Sequence, residues 1–184
     1  MLKNIQEDIK SGQFRQVYLL YGEEAYLKQQ YKYNLVKALN PDEDTMNFSR
    51  FEGKGLNVKE LIDLFETMPF FADRRVVLLE DTGFFKNKCD ELADYMKALP
   101  EYLYLIFCES EVDKRSRMYK AVKACGSIGE FAEQDEKTLV RWAAGILGKN
   151  GRKITQRDVE LLLAMTGTDM GNLRMELEKL ICYT

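Results

Sequence analysis

The chain has 184 residues, 46% hydrophobic and 31% charged, with a net charge of −3 and no histidine. That composition excludes a disordered chain, a protein-wide basic surface for nucleic acid, the Ser-His and Cys-His catalytic pairs, and any His-based zinc site. The length suits one α/β domain with a small extra unit, and the cysteines (Cys89, Cys108, Cys125, Cys182) show no CxxC or other metal-ligand spacing. In chain order, residues 2–11 place Leu2, Ile5 and Ile9 at helical spacing before Gly12. "QVYLLYG" is a short strand, and residues 23–39 form a long helix ended by Asn40-Pro41. "MNFSRFEG" reads as a strand with Met46, Phe48 and Phe51 among its apolar positions. Asn57 caps a helix over 58–67. "RRVVLLED" is a buried strand, residues 88–98 are helical, "YLYLIFCES" is the strongest strand, 114–124 is a basic helix, and "GSIGEFAE" supplies a short fifth strand. Cys108, inside an apolar run, reads as buried and reduced.

Strands alternating with helices imply a parallel sheet covered on both faces, which explains why "VYLLY", "RVVLL" and "YLYLIF" lack polar alternation. From about Asp135 three amphipathic helices follow without strands, with Thr155 capping the second, Asp158 three residues on as a capping-box variant, and Gly148, Gly151 and Gly167 as punctuation. Trp142 reads as core of that helical module. The expected division is 1–136 and 137–184. No signal peptide precedes the first helix and the apolar runs are too short to span a bilayer, so the expected location is cytoplasmic. The last helix runs to "KLICYT" with no glycine stop or polar tail, and a piece of a longer protein is expected.

Four stretches carry candidate chemistry. After the first strand, "YGEEAYLKQQ" stands where a phosphate loop GxxxxGK[ST] belongs. Only Gly22 is recognised, and Glu23 and Glu24, expected in the first helical turn, suit the helix dipole and repel phosphate. "VVLLED" resembles the strand whose acid holds Mg²⁺ in nucleotide enzymes, yet Glu80 and Asp81 without a phosphate loop read as solvated acids. Lys114, Arg115, Arg117, Lys120 and Lys123 form either a nucleic-acid patch or, as favoured here, a solvated helix face over Met118, Ala121 and Val122. Finally, "ETMPFFADRR" puts Met68, Phe70 and Phe71 around Pro69. Adjacent residues cannot easily share one core face. The segment is either loop packing or an apolar plug whose charged rim includes Asp73, Arg74 and Arg75, and the residues alone leave both open.

The stretches "VYLLYGEEAYL", "LFETMPFFADRRVVLLED", "LIFCESEVDKRSRMYKAVK" and "GTDMGNLRMELEKL" together resemble the bacterial DNA polymerase III delta subunit family, over residues 16–180. The resemblance implies an AAA+-type α/β fold: a P-loop-like, five-stranded parallel sheet lacking a functional phosphate loop, followed by a three-helix lid domain, with a helical collar domain beyond this chain. It implies a replication subunit that binds and helps open the sliding clamp (the beta subunit) through Met68, Phe70 and Phe71, with Thr67 and Pro69 shaping the segment. Some family members carry Leu at the first of the paired apolar positions. The implied partners are the clamp, the gamma/tau and delta prime subunits, and primed DNA within the assembly. No catalytic residue, cofactor or metal is expected, although the holoenzyme would be classed with DNA-directed DNA polymerase. Contact of Lys114, Arg115, Arg117 and Lys120 with DNA or phosphate is the weaker expectation. The alternatives are a DNA-binding or purely structural subunit on the same degenerate fold.

Overall fold

The computed structural model describes residues 2–183. The elements are α1 (Leu2–Ser11), β1 (Val17–Tyr21), α2 (Ala25–Leu39), β2 (Phe48–Glu52), α3 (Val58–Phe65), β3 (Arg75–Glu80), α4 (Asp90–Tyr95), β4 (Leu103–Glu109), α5 (Arg117–Cys125), β5 (Ser127–Glu130), α6 (Glu136–Lys149), α7 (Gln156–Thr166) and α8 (Met170–Tyr183). The chain forms two compact units. One comprises Met1–Glu23 and Lys28–Phe131, the other Glu24–Leu27 and Ala132–Thr184.

In the first unit the five strands form one sheet in the order β2-β3-β4-β1-β5, and every pairing is parallel. Parallel strands need crossover connections, and the intervening helices supply them. β1 and β3 are buried along their whole length. Alternate residues serve opposite faces. Val17, Leu19, Val77, Leu79, Leu105 and Phe107 share a core with Leu61 and Phe65 of α3, Leu92 and Ala93 of α4, and Met118 and Val122 of α5. Tyr18, Leu20, Val76, Leu78, Ile106 and Cys108 are buried on the other face. There Tyr18 donates to Asp8 of α1, and Lys32 of α2 meets Glu80.

The second unit is a three-helix arrangement. Leu139, Ala143 and Leu147 of α6, Val159 and Leu163 of α7, and Met170, Leu173 and Leu177 of α8 form its core at helical spacing. Trp142 is half-buried, edge-on to Tyr26 at 5.6 Å between ring centroids. Thr155 caps α7, its hydroxyl accepting from the Asp158 N–H at 3.2 Å, while the Asp158 carboxylate accepts from that same hydroxyl at 2.6 Å, a variant of the reciprocal capping box. Gly167 ends α7 at a φ of 81°.

Several boundaries differ from the sequence reading, each for a local reason. α2 begins at Ala25, so Glu23 and Glu24 precede it rather than forming its first turn. The Glu24 carboxylate accepts from the Tyr26 N–H at 3.2 Å instead. α3 stops at Phe65, where the chain tightens so that the Thr67 N–H donates to the Leu64 carbonyl and Pro69 has no N–H to offer the Phe65 carbonyl. α4 is confined to Asp90–Tyr95 between turns. α5 begins at Arg117, because the Ser116 side chain caps it by accepting from the Tyr119 N–H, and Lys114 and Arg115 lie ahead of the helix.

Candidate functional site

The segment from Glu66 to Arg74 leaves α3 and enters β3 at the amino-terminal end of the sheet. The Thr67 hydroxyl donates to the Asp63 carbonyl at 3.0 Å and its N–H to the Leu64 carbonyl at 3.1 Å. Beyond Pro69, the buried Asn47 side chain grips Phe70 at both backbone groups. Its Oδ1 accepts from the Phe70 N–H at 2.6 Å, and its Nδ2 donates to the Phe70 carbonyl at 2.8 Å. Arg75, also buried, turns its guanidinium back on the loop, with Nε donating to the Thr67 carbonyl at 2.8 Å and Nη2 to the Met68 carbonyl at 3.2 Å. The Tyr102 hydroxyl donates to the Glu66 carbonyl at 2.9 Å.

With its backbone tied inward, the loop directs its side chains outward. Met68 is 74%, Phe70 55% and Phe71 94% exposed. Phe71 has a φ of 49°, the left-handed region that a bulky residue rarely adopts. That twist sets its ring edge-on to the Phe70 ring, with centroids 4.4 Å apart at 79°. Two neighbouring aromatics thus form one patch, which neither a helix nor a strand would permit. Thr67 is exposed and Pro69 half-buried. Of the expected charged rim, Asp73 is exposed, but Arg75 is a correction: it lies beneath the loop, where backbone carbonyls satisfy its buried charge. Arg74 is half-buried, its guanidinium 5.3 Å from the Phe14 ring centroid and 5.4 Å from that of Tyr104. Sequence reasoning missed Asn47, and placed Met46 in a strand where the structure has it exposed ahead of β2.

The carboxyl-terminal end of the sheet is built differently. Four of the five strands end in glutamate: Glu52, Glu80, Glu109 and Glu130. Glu80 is not a solvated acid. It is buried and bonded to Lys32 Nζ at 2.6 Å and Arg50 Nε at 2.5 Å. Its neighbour Asp81 does face solvent, accepting from the Ser110 hydroxyl at 2.6 Å. The buried Glu109 carboxylate accepts from the Thr82 hydroxyl at 2.5 Å, the Thr82 N–H at 3.1 Å and the Gly83 N–H at 3.2 Å. Burial raises its pKa despite these donors. Lys28 stands at the lysine position of GxxxxGK[ST], a match the sequence reading overlooked because Leu27 replaces the second glycine and Gln29 the hydroxyl residue. Its Nζ donates to the Gly22 carbonyl at 3.0 Å and the Glu109 carbonyl at 3.1 Å. Gly22 itself answers a packing demand: a Cβ there would lie 2.2 Å from the Phe131 carbonyl oxygen.

The basic segment is largely neutralised in place. Lys114 bonds Glu130 at 2.9 Å, Arg115 bonds Asp113 at 3.0 Å, and Arg117 bonds Asp90 at 3.1 Å and Asp94 at 2.8 Å. Lys120 and Lys123 are exposed on α5. Met118 and Val122 are buried beneath, and Ala121 is half-buried. Cys108 is a buried free thiol whose pKa burial pushes up to about 11. Among the described residues, no three His, Cys, Asp or Glu side chains are arranged to hold a metal ion, and no helix is long and apolar enough to cross a membrane.

A family model described as DNA polymerase III, delta subunit, matches residues 18–130, which include the loop and, apart from Val17, all five strands. The chain belongs to this family. It is 24% identical to the DNA polymerase III subunit delta of Bacillus subtilis (strain 168), in a match over 196 residues that takes in 100% of this chain and 56% of that protein. The solved Bacillus subtilis DNA clamp loader delta protein superposes with a TM-score of 0.77 at 21% identity, covering 100% of this chain and 57% of its own. A gamma subunit-related protein from Thermotoga maritima gives a TM-score of 0.56 at 13% identity, over 97% of this chain and 57% of that one. The delta-family fold, an α/β architecture on a five-stranded parallel sheet, is therefore shared, and the chain spans a little over half the length of these relatives.

Proposed function

We propose that this chain is the clamp-engaging portion of a clamp-loader subunit in DNA replication. It inserts the loop Thr67–Phe71 into an apolar pocket on the sliding clamp (the beta subunit) and favours the ring's open state, without hydrolysing ATP itself. One observation carries the reading: three large apolar side chains, Met68, Phe70 and Phe71, stand outside the core on a loop whose backbone is bonded inward. Family membership supports a clamp as the partner. The subunit acts by differential binding, engaging the open or distorted clamp more tightly than the closed one. Gamma/tau and delta prime subunits and primed DNA join it in the assembled loader, residues 137–184 serve as the lid, and the site of action is the cytoplasm. The absence of ATP hydrolysis is supported by the acidic strand ends and by Lys28 spending its donors on carbonyls.

Surface plasmon resonance against a bacterial sliding clamp tests this directly. Burying the two phenylalanines contributes about 1.5–3 kcal/mol each. The Phe70→Ala/Phe71→Ala double variant, folded by circular dichroism, is expected to lose more than about 100-fold in affinity. A wild-type chain that does not bind overturns the proposal. Micromolar ATP binding by calorimetry overturns the nucleotide-free part alone.

A further inference from the structure

We infer that Asn47 and Arg75 are positioning residues, which hold the apolar loop in its docking conformation before a partner arrives, so that association is a rigid insertion. This rests on the clamp-binding reading and adds how the loop is made ready. Both braces rise from the amino-terminal ends of neighbouring strands. The Asn47 carbonyl accepts from the Val76 N–H at 2.9 Å, locking the approach to β2 onto β3, while its side chain reaches Phe70. Arg75 opens β3, its N–H donating to the Tyr102 carbonyl at 2.8 Å, while its guanidinium reaches Thr67 and Met68. Asn47 is only 4% exposed and Arg75 6%.

The chemistry fits each task. A carboxamide presents a donor and an acceptor side by side, so it can pair with one residue's N–H and C=O as another peptide group would. A carboxylate or a hydroxyl cannot do this without losing one bond. Asn47 is itself oriented, since its Nδ2 also donates to the Asp44 carboxylate at 2.6 Å, and Asp44 accepts from the Met46 N–H at 2.8 Å. A guanidinium fork spans the two successive carbonyls of Thr67 and Met68, which a lysine ammonium would meet as a point charge.

The left-handed Phe71 gives the second line of argument. Such a conformation in an exposed bulky residue persists only where its surroundings dictate it, and the residue before it is gripped at both its N–H and its C=O. Ordering the loop is therefore an expense met on folding and not again on binding. Sites supported from strands hold their geometry more tightly than sites on unsupported loops.

The test reads rates as well as affinity. Where a variant populates the competent loop only about one time in ten, apparent affinity falls about tenfold. If binding selects that conformation, the loss falls on the association rate. Asn47→Ala is expected to slow association with the clamp about tenfold and leave the dissociation rate within about twofold. Phe71→Ala, which deletes a contact, is expected to act on dissociation. Hydrogen exchange followed by NMR adds a readout that needs no partner: the Phe70 amide is protected in the wild type and exchanges freely in Asn47→Ala. A Phe70 amide that exchanges like an unstructured peptide in the wild type overturns the inference even if Asn47→Ala does not fold. So does an Asn47→Ala chain that associates at the wild-type rate. If the wild type binds no clamp, but its Phe70 amide is protected and Asn47→Ala releases it, the bracing stands and the partner is wrong.

Discussion

The two ends of the sheet handle polar and apolar groups in opposite ways. At the carboxyl-terminal end, charged side chains are drawn inward and paired: Lys32 with Glu80, Lys28 with two carbonyls, and Glu109 with the Thr82–Gly83 backbone. At the amino-terminal end polar side chains are also drawn inward, but Asn47 and Arg75 spend themselves on the backbone of a loop that carries phenylalanine and methionine into solvent. The first arrangement satisfies the strand ends with the protein's own groups. The second holds an apolar surface in solvent, the surface to which the proposed function assigns a partner. Buried polar groups must be paired in either case; what differs is whether the pairing leaves anything to offer.

If this contrast is right, lesions at the carboxyl-terminal end reduce stability, whereas lesions in the loop reduce docking. Gly22→Ala should have the largest effect on stability. It places a Cβ 2.2 Å from the Phe131 carbonyl oxygen at a φ of 129°. A loss on the order of 3–5 kcal/mol is expected by urea denaturation, and a loss under about 1 kcal/mol would show that β5 gives way easily. Glu80→Ala comes next. It strands Lys32 against the sheet, in a pair whose side chains are 15% and 8% exposed. Removing one partner of a pair so shielded costs about 3 kcal/mol, and the half-exposed Arg50 adds little. Clamp affinity of the folded fraction should be unchanged, and a parallel loss of docking would break the contrast.

The pH dependence is smaller. Burial raises the Glu109 pKa above its ordinary 4.5, so the folded chain holds that proton at a pH where the unfolded chain has released it. Its contribution to stability is therefore most favourable below the unfolded pKa and is lost as pH rises through the folded one. Carbon-13 NMR of the Glu109 carboxyl should give a midpoint above 4.5; a lower midpoint means its three donors outweigh burial. Phe71→Gly should move stability least, by about 0.5 kcal/mol or less and upward, because glycine accepts the left-handed backbone at no steric cost. The same change should weaken clamp binding clearly.

Strand order of types and core were legible in the sequence because "VYLLY", "RVVLL" and "YLYLIF" can only be covered on both faces. Asn57 and Thr155 announced their helices as caps. The adjacent phenylalanines were legible as an anomaly, with exposure left open. Their support was not legible. Asn47 lies far along the chain from Phe70, and nothing local distinguishes it from any other polar residue before a strand. Arg75 looked like part of a charged rim because a buried arginine bonded to carbonyls leaves no trace in spacing. Glu80 was misread for the same reason: Lys32 and Arg50, its partners, sit on two different elements. Lys28 was in plain view, yet its use depends on where the Glu109 carbonyl lies.

The sheet order also governs how this chain is made. Of the five strands β1 is synthesised before the others, but its neighbours are β4 and β5, the last two. Val17 pairs with Leu105 and Tyr18 with Ser127. At ribosomal rates of roughly 5–20 residues per second, the five apolar residues of β1 wait several seconds or more for either partner. During that time the segment most dependent on cover has none. Synthesis halted short of Ser127 would leave the strand with one side bare, a nascent chain for a chaperone to hold rather than a smaller folded domain.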